Sequence, residues 1–137
     1  MELKSIGRIE SPYQCKGDAP RQGIYSKEIM KIHVEPEYAE ALKGVAVESH
    51  IVVLYWGDRA DRSVLRTIPP RRDVEMGVFA CRSPNRPNPI ALCVAEVMAI
   101  SANTLTVVGL DALDGSPLLD IKPYVSMLDD SQMHREA

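Results

Sequence analysis

Apolar residues fall along this chain in short alternating or continuous runs, each bounded by turn formers, and only one brief segment has helical spacing. The run IVVLYW, at the end of Val45–Trp56, is rich in β-branched and aromatic residues and predicts a central strand. Further strands are expected at Leu3–Ile9, Tyr25–Val34, Gly77–Ala80, Ile90–Ile100, Thr104–Leu110 and Leu118–Ile121. In the 90–100 segment Ile90, Leu92 and Val94 share a face. The turn Ser101-Ala102-Asn103 joins two of these strands into a hairpin, and Asp114-Gly115-Ser116-Pro117 forms another turn. Pro36–Leu42 reads as one short helix, with proline at its first position and Gly44 at its end.

Between these elements lie long loops. Ser11–Gly23 is dense in turn formers, Gly57–Met76 is charged and holds Pro69-Pro70, and Cys81–Pro89 contains three prolines, which excludes a central strand or a helix there. Many short strands and one short helix predict an all-β barrel or a strongly curved sheet. The 137 residues suit a single domain, assigned to 1–128, with a polar, frayed tail at 129–137.

Composition narrows the function classes. Hydrophobic residues make up 45% of the chain but aromatics only 5%, so the core must be mainly aliphatic. The longest apolar run is far too short to cross a bilayer, so no membrane role is expected. The start, MELKSIGRIE, lacks the apolar stretch of a signal peptide, and the expected location is the cytoplasm. Cys15, Cys81 and Cys93 show no pairing pattern, His33, His50 and His134 lack ligand spacing, and no metal site is expected. No G-x-G-x-x-G, HExxH or Ser-His-Asp arrangement is visible.

Net charge is −3, yet the segment Arg59–Arg86 carries seven arginines (59, 62, 66, 71, 72, 82, 86) against Asp61, Asp73 and Glu75. A local basic surface on an acidic body can attract phosphate, although a solvated loop has the same charge pattern.

Two segments stand out chemically. In GVFACRSPNRPNPIAL (77–92) the prolines pre-set the backbone, so Arg82 and Arg86 can present donor forks to carboxylate or phosphate and Asn88 can meet a base edge. The alternative is a tight turn whose arginines pair with surface acids. In GLDALDGSPLLDIKPY (109–124), Asp111 follows an apolar strand and can accept hydrogen bonds from a ribose or an ammonium group. Asp114, before Gly115, is an ordinary turn residue, and Asp120 and Lys122 can simply pair with each other.

The motifs IGRIESPY (6–13), PRQ (20–22), GVFACRSPNRPNPIAL (77–92) and GLDALDGSPLLDIKPYV (109–125) resemble the TrmO, or TsaA-like, family in the correct order and over most of the chain. The resemblance implies a single-sheet antiparallel β-barrel with long loops that binds S-adenosylmethionine, often as a homodimer. It also implies methylation of N6 of threonylcarbamoyladenosine beside the tRNA anticodon. By motif position, cofactor contacts would come from Pro20, Arg21, Gln22, Arg82, Leu92, Gly109, Leu110 and Asp111, with Asp58 and Arg59 following the central strand. Arg86, Asn88, Asp114, Asp120 and Lys122 would shape the site or meet the substrate. Arg59, Arg62, Arg66, Arg71 and Arg72 are candidates for tRNA phosphates. Asp111 is expected at the ribose or amino-acid end of the cofactor rather than at the sulfonium, whose charge is consumed in the reaction.

The chain departs from the family pattern at Asp58, where a histidine is common, at Cys81 for threonine, and at Ala91-Leu92-Cys93 for Gly-Leu-Ser. Bacterial members carry a further C-terminal domain beyond the matched stretch. Asp58 keeps open a binding module without methyl transfer, and a methyltransferase for another acceptor is the third reading.

Overall fold

The computed structural model describes residues 1–131, and 132–137 lie outside the described part. Its strands are β1 (Gly7–Glu10), β2 (Ile29–Val34), β3 (His50–Trp56), β4 (Arg66–Thr67), β5 (Met76–Gly77), β6 (Ile90–Ser101), β7 (Thr104–Val108) and β8 (Pro117–Pro123). Six close into one barrel in the order β1-β2-β7-β6-β3-β8, with β8 returning to β1. Every pairing is antiparallel, and β4 and β5 form a separate two-stranded pair. The fold is thus the all-β, single-sheet barrel that the motifs implied.

Alternation along each strand builds the interior. In β3, Ile51, Val53 and Tyr55 point inward, and in β2 Met30, Ile32 and Val34 do so. On β6 the inward set is Cys93, Ala95 and Val97, while Ile90, Leu92 and Val94 face outward. Ala91 and Cys93 lie opposite Tyr55 and Val53, so small residues fill the space that the tyrosine ring leaves. Leu110 and Ala112, fully buried beyond β7, extend the core past the end of that strand.

Local elements differ from expectation at several places. The strand expected at Tyr25–Val34 begins at Ile29, with Gly23–Tyr25 forming a 3-10 turn, the one expected from Val45 begins at His50, and the 57–76 segment read as loop contains β4. The first strand starts at Gly7 rather than Leu3, whose side chain is exposed. The expected helix at Pro36–Leu42 is a 3-10 helix, closed by i→i+3 bonds such as Tyr38 N–H to the Glu35 carbonyl at 2.9 Å. Its first turn has no side-chain cap to hold an α-helical start. The strand expected at Gly77–Ala80 ends at Gly77. There Val78 donates to the Leu65 carbonyl, and Val78–Ala80 turns as a 3-10 segment with Phe79 pointing to solvent. Finally, Ser126–Ser131 forms a short helix, α1, in which Asp129 accepts from Val125 N–H. The tail expected to fray from 129 therefore begins inside α1, and the rest of it lies outside the described residues.

Candidate functional site

The C-terminal end of β3 is where the chain's separate motifs meet. Tyr55 projects into the barrel mouth and donates its hydroxyl to Asp111 Oδ1 at 2.5 Å, and the Cys93 thiol donates to the same oxygen at 3.1 Å. Asp111 is brought there by Gly109, whose φ of +116° turns the chain sharply after β7. The Gln22–Tyr25 segment closes over this corner. A Cβ on Gly23 would lie 2.2 Å from the Gly109 carbonyl oxygen and 2.9 Å from Cys93 Sγ, so only glycine permits the approach. Gln22, next to Gly23 in the chain, is half-buried, as is Pro20, and Arg21 is exposed.

Burial and the neighbouring carboxylate push the Cys93 thiol up to about 12, and the same two causes raise the Tyr55 phenol far above its ordinary value. Both groups therefore stay protonated at neutral pH and act as neutral donors to Asp111, and the thiol is not a nucleophile.

The first loop is knitted to the 112–116 turn. Ser11 N–H donates to Asp114 Oδ1 at 2.9 Å, the Ser11 hydroxyl donates to the Ala112 carbonyl at 2.7 Å, and Asp114 N–H donates to the Tyr13 carbonyl at 2.7 Å. This explains the Ser-Pro-Tyr motif and gives Asp114 a structural hydrogen bond. Arg59 spans the same two loops, donating to the Gln14 carbonyl at 3.2 Å and the Asp114 carbonyl at 2.6 Å, with Asp58 beside its Nε at 3.3 Å.

The proline-rich loop is anchored to the turn after β3. Gly57 N–H donates to the Pro89 carbonyl at 2.8 Å, and Asp61 N–H donates to Asn85 Oδ1 at 2.9 Å. The Arg62 guanidinium lies 5.1 Å from the Trp56 ring centroid, and it donates to the Pro87 carbonyl at 2.7 Å and Asn88 Oδ1 at 3.1 Å. Arg86 turns inward onto the carbonyls of Cys81 and Ser83. Arg82, on the same loop, is exposed and makes no hydrogen bond or ion pair with a described residue.

The sequence candidates thus separate. Gln22, Gly109, Leu110 and Asp111 share one corner, and Asp58, Arg59 and Asp114 flank it. Leu92 lies on the outward face of β6, directly across from Leu54. Arg59, Arg62 and Arg86 have their guanidinium groups engaged within the chain. Arg66 leans on Glu75 at 3.5 Å with both groups exposed, while Arg71 and Arg72 are exposed without a described partner. Lys122 is not brought to the corner: its ammonium pairs with Asp120 at 2.9 Å. It borders a groove of about 680 Å³ with Tyr38, His50 and Tyr124, by the start of β3. No cluster of metal-ligating groups occurs among the described residues.

Sequence reasoning missed Tyr55 and the site role of Cys93. The available signal was the one hydroxyl inside the apolar IVVLYW run, since a buried tyrosine needs a partner for its OH.

Comparison with known proteins follows the same motifs. The family model described as the tRNA-methyltransferase O N-terminal domain matches residues 8–130. The chain is 50% identical over 129 residues to a protein of Archaeoglobus fulgidus named S-adenosyl-L-methionine-binding protein, covering 94% of this chain and 93% of that one. It is 35% identical over 135 residues to the tRNA (adenine(37)-N6)-methyltransferase of Escherichia coli, covering 90% of this chain and 57% of the relative. Among solved structures it is similar to TrmO from Pseudomonas aeruginosa, with a TM-score of 0.75 and 33% identity, covering 94% of this chain and 58% of that one. The chain therefore spans nearly the full archaeal relative but little more than half of the two bacterial proteins.

Proposed function

Because this chain belongs to the tRNA-methyltransferase O N-terminal domain family, we propose that it is an S-adenosylmethionine-dependent methyltransferase. Its target in this reading is N6 of threonylcarbamoyladenosine beside the tRNA anticodon. The observation that carries the reading is the corner at the end of β3. There one Asp111 oxygen is held by two donors, the second takes no hydrogen bond from a described residue, and the Gln22–Gly23 segment packs alongside.

These residues fit the ligand's chemistry. S-adenosylmethionine supplies an activated methyl group and carries ribose hydroxyls, an ammonium and a carboxylate. Asp111 offers an acceptor to hydroxyls or ammonium, and Arg82 offers a free donor fork to a carboxylate. Leu92, expected at the cofactor, lies on the outward face of β6, opposite to the inner face that carries Tyr55 and Cys93. The chain's own task is alignment, because an in-line displacement gains most from holding the reacting atoms close and collinear. The Arg62 and Arg59 contacts keep the flanking loops fixed while that geometry is held. A nucleotide in a single-stranded loop can reach such a corner without opening a duplex. No described helix is long and apolar enough to cross a membrane, and in this reading the protein works in the cytoplasm, beside its tRNA.

Calorimetry with S-adenosylmethionine, followed by tritiated-methyl transfer to total tRNA, tests the proposal. The wild-type chain is expected to bind and to label tRNA, and Arg82→Ala to lose both. Full retention of binding by Arg82→Ala means that the pocket is misplaced. Binding without transfer supports the second reading, a binding module, which the Asp58–Arg59 pair in place of the usual histidine favours.

We also assign the outer face of β6 to a second copy of the chain. Ile90, Leu92 and Val94 are 44%, 45% and 40% exposed and pair across to Trp56, Leu54 and Val52, forming an apolar stripe. Sedimentation is expected to give a dimer that Leu92→Glu converts to monomer. A wild-type chain that sediments as a monomer removes this assignment.

A further inference from the structure

We infer that Tyr55 and Cys93 are positioning residues for the ligand-facing carboxylate of Asp111. This rests on the proposed role of Asp111 in holding the cofactor. The two donors come from neighbouring strands. Tyr55 pairs with Ala91 and Cys93 with Val53, so their side chains are diagonal neighbours on the inner face of the β3–β6 ladder.

Both donors converge on Oδ1 and neither reaches Oδ2. A carboxylate is free to rotate about its terminal bond unless its oxygens are distinguished. Two donors fixed in the barrel interior distinguish them, and Oδ1 is held inward. No buried side-chain oxygen or nitrogen lacks a partner among the described residues, so the unpartnered Oδ2 is in contact with solvent. A carboxylate has room for about four donors, so Oδ2 keeps its capacity for a ligand's hydroxyl or ammonium. The mouth of the barrel thus presents one oriented acceptor rather than a rotating one.

The chemistry sets a requirement at position 93. The side chain must be small enough for the close approach of Gly23 and must carry a hydrogen-bond donor. Cysteine and serine meet both conditions, and alanine meets only the first. At position 55 the ring fills the barrel and the hydroxyl reaches outward, so phenylalanine keeps the packing and removes the donor.

Calorimetry of S-adenosylmethionine binding to the full chain, with thermal unfolding of each variant in parallel, tests this. Tyr55→Phe is expected to weaken binding about tenfold, the equivalent of one hydrogen bond. Cys93→Ala is expected to weaken it by roughly threefold to tenfold, and Cys93→Ser to restore it. Against an Asp111→Asn background, Cys93→Ala is expected to have less effect than in the wild type, because the two act through one oxygen.

If Asp111→Asn binds as tightly as wild type, the role of Asp111 itself fails. If Asp111→Asn loses binding while Tyr55→Phe and Cys93→Ala keep it, only the positioning inference is overturned. A loss in Cys93→Ala that serine does not restore overturns it as well. Should Tyr55→Phe not fold, the alanine and serine variants at position 93 decide.

Discussion

Replacing Gly109 by alanine is expected to destabilise the chain by about 2–5 kcal/mol, combining left-handed backbone strain with overpacking. At φ +116° a side chain is strained whatever the space around it, and here there is none: a Cβ would lie 2.8 Å from the Val94 carbonyl oxygen and 3.2 Å from Ala95 Cα. Both are backbone atoms of β6, which is paired on either side and cannot move aside cheaply. Against a typical net stability of about 5–15 kcal/mol, that is a large fraction. Urea unfolding followed by circular dichroism measures it. Gly115→Ala is the control, because its φ is +81° but nothing lies within 4 Å. It is expected to lose only the conformational part, about 1–2 kcal/mol. Equal urea midpoints for the two variants would show that the contact with β6 is unimportant.

The second large effect is on RNA. Arg71→Ala with Arg72→Ala is expected to weaken tRNA binding by about tenfold or more at low salt. It should also reduce the slope of log affinity against log salt by about 1.4–1.8, the release of two condensed counterions. These two arginines are exposed on the segment between β4 and β5, with no described partner. Arg59 and Arg62 carry the same formal charge, but their guanidinium groups are occupied by carbonyls of the chain. Their removal is expected to leave the salt slope nearly unchanged while loosening the loops they hold. Filter binding from low to moderate salt separates the two pairs. A slope that falls equally for both, or for neither, overturns the distinction.

The barrel was legible in the sequence because alternation is a local signal. β2 and β3 can each be recognised as strands from a single run, and the Ser101–Asn103 hairpin from its turn. Which face of Ile90–Ile100 would be buried was not legible. It depends on Tyr55 filling the space opposite Ala91 and Cys93, a fact of the partner strand. The Val78–Ala80 turn was hidden for a related reason, since its hydrogen bond goes to Leu65 in a segment that reads as loop. At the site, the structure brings the motif residues Gln22, Gly109 and Asp111 to one corner, yet composition counted every arginine alike. Only geometry separates Arg62, stacked on Trp56 and bonded to Pro87, from Arg82, which is left open.

The Arg59 contacts have a thermodynamic consequence. One side chain joins backbone carbonyls that lie 45 residues before it and 55 residues after it. Both loops are therefore preorganised before anything binds, and the entropic penalty of ordering them falls on folding rather than on recognition. For the ligand proposed above, the dissociation constant is then expected to reflect contact chemistry with little deduction for loop closure.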